Sequence, residues 1–384
     1  MELLIPVQYK IKRAFVTSNA LFLCNLICNF AIMSKKVDYI VVGLGLAGIA
    51  FCEKLKENNK SFVVFENNSQ TASLVAGGMY NPIILKRFTP AWNGHEQLEY
   101  AMPRYQKIEE NLNTSFDDKL QTKKVFNSIK DQNNWFTALD KPNMSRYMDS
   151  YIQKQEIKGV VCHFGLGTLR GTGRIKTQVL IQKYQDDLKN QNKLIENDFS
   201  YDDLIIQNEL SYQDLQTNKI VFCEGFGLKN NPYFNYLPLN GTKGETLKIY
   251  APNLSIDFVL KSSVFVMPLG NDYYRVGATF NWTDKTSLPT EEGKQELINK
   301  LDKAISVPYE IVEQSAGIRP TVKDRRPLVG KHPKFENLAV LNGLGTRGVM
   351  IAPTVADNLF NHLENDSSLN PEIDISRFSN SFNS

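Results

Sequence analysis

Gly43-Leu44-Gly45-Leu46-Ala47-Gly48 spells G-x-G-x-x-G, and its surroundings constrain the fold more than the motif itself does. It closes residues 38–43 (DYIVVG), a short apolar run of the kind buried on both faces of a parallel sheet. Residues 46–56 then carry Ile49, Phe51 and Leu55 at helical spacing, and residues 61–66 (SFVVFE) form another buried-type strand, ending on Glu66. Strand, tight turn, helix and strand make a βαβ unit with the dinucleotide-binding fingerprint. Gly43 allows the tight turn, Gly45 lets backbone approach a pyrophosphate, and Gly48 lets helix and strand pack closely. The helix start at Leu46 and Ala47 presents free amides to phosphate charge, and Glu66 can accept hydrogen bonds from ribose hydroxyls. NAD and FAD both use this fingerprint, so it leaves the cofactor open.

The rest of the chain suggests more than one domain, since 384 residues is long for a single one. Residues 81–149 are irregular, with Pro82, Pro90, Pro103 and Pro142 expected to break any long element. Residues 174–188 carry Val179, Leu180, Tyr184 and Leu188 on one helical face, and residues 219–223 (KIVFC) return to the buried-strand style. Residues 245–250, 258–267 and 273–279 read as strands, followed by a helix over 290–305 with Glu291 and Glu292 in its first turn. Residues 337–342 read as a strand, 343–348 as a glycine loop, and 353–363 as a helix opened by Pro353.

Composition excludes several classes. The net charge is +3, of which residues 1–32 hold +2, so the body has no strong nucleic-acid footprint. Five cysteines without a CxxC pair argue against a disulfide framework or zinc site and fit a reducing, cytoplasmic setting. His95, His163, His332 and His362 are scattered, which argues against metal catalysis or a hydrolase triad, and no metal site is expected. Residues 14–34 are uncharged and preceded by Lys10, Lys12 and Arg13, like a signal anchor, but Asn19, Asn25 and Asn29 interrupt the apolar run. The expected functional start is Met33, with membrane anchoring the minority reading.

Ser73, Ala76, Gly77, Gly78 and Met79 supply a second backbone stretch able to approach an extended cofactor. With these residues on the page, the chain resembles the FAD-dependent oxidoreductases of the D-amino-acid oxidase family, most nearly the glycine and sarcosine oxidase branch. Residues 219–225 (KIVFCEG), 243–247 (KGETL), 276–279 (VGAT), 315–330 (SAGIRPTVKDRRPLVG) and 342–353 (NGLGTRGVMIAP) carry the rest of the likeness. It implies an α/β chain: a Rossmann-type FAD-binding domain with a parallel sheet, and an α+β substrate domain with a mostly antiparallel sheet. The expected division gives 33–90, 150–232 and 315–384 to the FAD-binding domain, and 91–149 and 233–314 to the substrate domain.

The resemblance also implies site roles. Gly225 would lie on the cofactor side, and Gly343, Gly345, Thr346, Arg347 and Gly348 against the flavin, where amides stabilise charge gained on reduction. Arg319 matches the arginine that pairs with a substrate carboxylate, for which a planar guanidinium is suited; its alternative role is an ion pair with Asp324. Phe265 stands where the glycine-oxidase branch has a tyrosine, favouring a bulkier or less polar substrate. Lys86, beside Arg87, is a candidate for the substrate entrance. Gly317 stands near the position of the cysteine that binds flavin covalently in some sarcosine oxidases, so noncovalent FAD is expected. The implied activity is C–N oxidation of an amino acid or N-substituted amino acid, with O2 or another acceptor; the oligomeric state is left open. Residues 343–353 also resemble the flavin-dependent half of a tRNA wobble-uridine modification enzyme, which is one alternative, and a noncatalytic flavoprotein is another.

Overall fold

The computed structural model describes residues 35–207 and 209–382. The extension at 1–32 and the apolar segment at 14–34 lie outside the described residues.

Two large sheets organise the chain. The first is built on strand Lys35–Val42, which pairs in parallel with Phe62–Phe65 on one side and Leu215–Phe222 on the other. Leu194–Ile195 extends it in parallel beyond Phe62–Phe65, and Leu338–Asn342 pairs in parallel with Leu215–Phe222. Ile40, Val41, Ile220 and Val221 are fully buried, because helices cover one face and loops and aromatic residues the other. Helix Leu46–Glu57 lies on one face beside helix Gly348–Asn365. The sheet is therefore mixed, with an antiparallel hairpin of Leu204–Ile206 and Leu210–Tyr212 at its edge.

The second sheet is mostly antiparallel and has eight strands, in the order Glu310–Arg319, Thr242–Tyr250, Tyr273–Gly277, Phe265–Gly270, Val259–Lys261, Thr122–Val125, Leu166–Leu169 and Met148–Gln153. Helix Glu291–Leu301 packs on it through Leu297 and Leu301, and Thr290 caps that helix by accepting from the Gly293 amide. The expected boundary at residue 150 cuts Met148–Gln153, and Leu166–Leu169 pairs with Thr122–Val125 in the second sheet. Strand Glu310–Arg319 also pairs along its length with Thr242–Tyr250, so the expected boundary at 315 falls inside a strand.

Three further expectations need correction. The run 258–267 is two antiparallel strands, Val259–Lys261 and Phe265–Gly270, because Ser262 and Ser263 occupy a turn. Pro103 lies inside the helix Gly94–Leu112 rather than ending it. Pro353 likewise sits within Gly348–Asn365; it cannot donate to the Val349 carbonyl, and the Tyr105 hydroxyl donates to that carbonyl instead, at 2.9 Å.

Candidate active site

A cavity of about 1000 Å3 lies between the two sheets. Its first wall is the turn after Lys35–Val42. Gly43 has φ +95°, and a Cβ there would meet the Cys223 carbonyl at 2.7 Å. A Cβ on Gly48 would lie 2.0 Å from the Gly43 carbonyl oxygen, so only glycine allows this approach of helix to strand. Gly48 itself does not line the cavity, whereas Gly43, Gly45, Leu46 and Ala47 do. The helix has no side-chain cap at Gly45 and no acidic residue in its first turn, leaving its initial amides available to an anion.

Glu66 also lines the cavity, and both its oxygens already hold backbone. One accepts from the Leu44 amide at 2.5 Å and the other from Asn68 at 2.7 Å. It thus shapes the glycine turn, and each oxygen keeps lone-pair capacity for a hydroxyl. Ser73, Ala76, Gly77, Gly78 and Met79 line the adjoining wall. Gly78 has φ +68°, and a Cβ there would meet the Ile175 carbonyl at 1.9 Å. Arg275, which the sequence reading missed, reaches from the second sheet to donate to the carbonyls of Val75 and Ala76 at 3.3 and 3.2 Å. Its burial lowers its pKa.

Gly225, with φ +56°, lines the cavity beside Glu224. Burial raises the Glu224 carboxyl to about pKa 7, although the Asn231 amide (2.8 Å) and the Tyr201 hydroxyl both donate to it. Gly345, Thr346 and Gly348 line the cavity, while Gly343 and Arg347 do not. Gly343 packs against Val322 and Leu328, and Arg347 precedes the last large helix, its pKa lowered by burial and then by Arg325. The Gly345 amide is not free for a ligand, because it donates to the Pro320 carbonyl at 3.0 Å.

Arg319 ends the strand Glu310–Arg319 with its guanidinium over Gly244, and it faces the cavity. It donates to the carbonyls of Thr279 (3.2 Å) and Lys243 (3.4 Å) and lies 4.4 Å from the Phe280 ring centroid. Burial lowers its pKa to about 10, which leaves it charged at neutral pH. The alternative ion pair is absent: Asp324 accepts from Arg377 at 3.0 Å, and among the described residues no carboxylate pairs with Arg319. Phe265 lines the same cavity near Gly77, and Lys86 is exposed at its edge. Arg326 is held by Glu372 at 2.8 Å.

This arrangement places in one cavity a long backbone cradle, helix amides without a side-chain cap, and a half-buried guanidinium that no carboxylate partners among the described residues. Comparison with known proteins identifies the family. The sequence model described as "FAD dependent oxidoreductase" matches residues 38–361. A tRNA 5-methylaminomethyl-2-thiouridine biosynthesis bifunctional protein from Idiomarina loihiensis is 29% identical over 32% of this chain and 21% of its own length. A glycine oxidase from Bacillus licheniformis is 27% identical over 30% of this chain and 32% of its own. These matches thus span about a fifth to a third of the curated relatives. The crystal structure of glycine oxidase from Geobacillus kaustophilus superposes with a TM-score of 0.72 at 17% identity, covering 90% of this chain and 98% of that one. At that identity the likeness is one of fold.

Proposed function

The chain belongs to the FAD dependent oxidoreductase family, and from that premise we propose that it oxidises the C–N bond of an amino acid or N-substituted amino acid. The carrying observation is Arg319, a half-buried guanidinium facing the cavity without a carboxylate partner among the described residues. A cation partly withdrawn from water without a counter-ion is unfavourable, and a substrate carboxylate would relieve this through a bidentate, charge-assisted contact.

Gly43, Gly45, Leu46, Ala47, Glu66 and Ser73 would hold the dinucleotide end of FAD, with Gly77, Gly78, Met79 and the 345–348 segment towards the flavin. Gly48, Gly343 and Arg347 would support those segments from behind. When bound, FAD supplies an acceptor for the hydride removed from the substrate carbon, and O2 or another acceptor later takes the electrons. The protein's contribution is orientation: Arg319 fixes one end of the substrate while Phe265 bounds the space beside it without adding a hydroxyl. Arg275 keeps the 75–76 backbone in place from the second sheet. The amine needs no protein base if it binds neutral, and no His or carboxylate is assigned that role. Noncovalent attachment fits Gly317, which has no side chain to form a thioether and lines the cavity.

The test is anaerobic bleaching of the holoprotein's flavin by glycine, sarcosine, other N-alkyl amino acids and D-amino acids. Reduction by at least one carboxylate-bearing amine, weakened by Arg319→Met, supports the assignment; equal reduction in both proteins refutes the role of Arg319. The similarity to the tRNA-modifying protein carries a second reading, in which the amine belongs to a nucleic acid. Salt-sensitive binding of bulk tRNA would favour that reading.

A further inference from the structure

The cavity continues along the second sheet beyond Phe265, away from Arg319, into a region lined by Lys124, Lys261, Ser262, Ser263 and Lys300. Thr246, Gly277, Phe265, Lys261 and Lys124 are successive cross-strand partners, forming one row across five strands. Partners in such a row project from the same face. Phe265 and Thr246 line the cavity, and the two lysines therefore stand side by side on its wall.

The charges there are poorly matched. Lys300 pairs with Glu296, and Lys124 donates to the Val125 carbonyl at 2.6 Å. Lys261 has no hydrogen-bond or ion-pair partner among the described residues. Asp131 is the nearby carboxylate on this wall; it attracts Lys124 and accepts from the Asn127 amide at 3.0 Å. Burial, then Lys124 and Lys300, lower the pKa of Lys261 to about 8, and burial lowers that of Lys124. Lys124 is buried and Lys261 and Lys300 are half-buried, and neighbouring ammonium groups partly withdrawn from water are unfavourable unless an anion joins them.

We propose that Lys261, with Lys124 and Lys300, forms a second anion subsite, and that the substrate carries an anionic tail, carboxylate or phosphate, in addition to the carboxylate at its reacting end. The proposal deepens the function above and rests on Arg319 taking that first carboxylate. Three strand spacings, about 14 Å, separate strand Val259–Lys261 from strand Thr242–Tyr250, over which the Arg319 guanidinium lies. Only a tail of several bonds reaches both ends, so a short dicarboxylate fits poorly.

The experiment uses the FAD-loaded protein and measures ligand binding by calorimetry, without turnover. The probes are alkanoates, α,ω-dicarboxylates and ω-phosphonoalkanoates of matched, rising length. In the wild type, one anionic-tailed series should bind at least about tenfold tighter than alkanoates at an intermediate length, as expected for a charge-assisted contact. Lys261→Met should cut that ratio below about threefold, and Lys261→Arg should keep most of it. Which series gains identifies the tail as carboxylate or phosphate. No gain in the wild type, or the same gain in Lys261→Met, overturns the subsite. Arg319→Met separates the two claims: if it leaves alkanoate affinity unchanged, the reading of Arg319 fails. The lysine subsite is then judged with inorganic phosphate alone, where saturable binding lost in Lys261→Met supports it and absence of binding overturns it.

Discussion

Gly244→Ala should impair substrate binding while leaving the fold in place. A Cβ on Gly244 would lie 1.9 Å from one terminal nitrogen of Arg319, 2.1 Å from its Cζ and 2.3 Å from the other nitrogen. Restoring ordinary contact requires the guanidinium to retreat by about 1.5 Å, and misplacing a positioning group by ~1 Å can cost on the order of a hundredfold. The retreat disrupts the bonds to the Thr279 and Lys243 carbonyls and moves the cation off Phe280. Gly244 lies within an extended strand, where alanine is conformationally acceptable. Anaerobic stopped-flow reduction of the flavin separates the substrate dissociation constant from the limiting rate. The dissociation constant for a carboxylate-bearing amine should rise about ten- to a hundredfold in Gly244→Ala, as loss of a hydrogen bond to a charged group implies, with circular dichroism and flavin content near wild type. Arg319→Met should raise it by a similar or larger factor, because a hydrogen bond to a charged group contributes about 1.5–3 kcal/mol and the contact is bidentate. The two substitutions should be strongly non-additive, since both act through one guanidinium. Wild-type affinity in Gly244→Ala, or an equal effect of Gly244→Ala in the Arg319→Met background, would refute the reasoning.

Gly48→Ala should destabilise the protein by about 1–3 kcal/mol or more, visible as a lower Tm and lost flavin, because the added methyl lies 2.0 Å from the Gly43 carbonyl. Glu224 should make the apoprotein less stable as pH rises from about 4.5 to 7, since its native carboxyl retains a proton that the unfolded chain has released. That loss reaches at most about 3 kcal/mol; Glu224→Gln should remove it, as urea unfolding at pH 5 and pH 8 would measure, and an unchanged pH slope would contradict the cause assigned. Denaturation followed by ultrafiltration should release the flavin into the filtrate, and flavin retained with the chain would exclude noncovalent binding.

The glycine turn was readable in the sequence because each of its parts has a local cause. Gly43, Gly45 and Gly48 follow a buried run, precede a helix with regular apolar spacing, and are answered by Glu66, so local pattern and tertiary requirement agree. The helix capped by Thr290 was readable for the same reason. Neither proline inside a helix was readable; for Pro353, the Val349 carbonyl it leaves without an intrahelical donor is taken up by Tyr105, far away in sequence. Lys261 was hidden in what reads as one strand over 258–267, since the turn at Ser262 and Ser263 lacks glycine or proline, and Phe265 was legible only through the family resemblance. Arg275, Gly244 and the lysine pair acquire their places from cross-strand register, which no local spacing encodes. Glu66 was legible as a residue of the site, but not its hold on Leu44 and Asn68, which depends on the folded turn.

The central claim is that Arg319 presents a carboxylate-bearing amine to a bound flavin. Its most direct measurement is anaerobic reduction of the FAD-loaded protein across a panel of amino acids and N-alkyl amino acids, each paired with the corresponding amine lacking the carboxylate. The account predicts bleaching by at least one carboxylate-bearing member, with half-saturation at far lower concentration than its decarboxylated counterpart, and loss of that preference in Arg319→Met. Equal bleaching by both members of each pair, or a flavin that no member of the panel reduces, would contradict it.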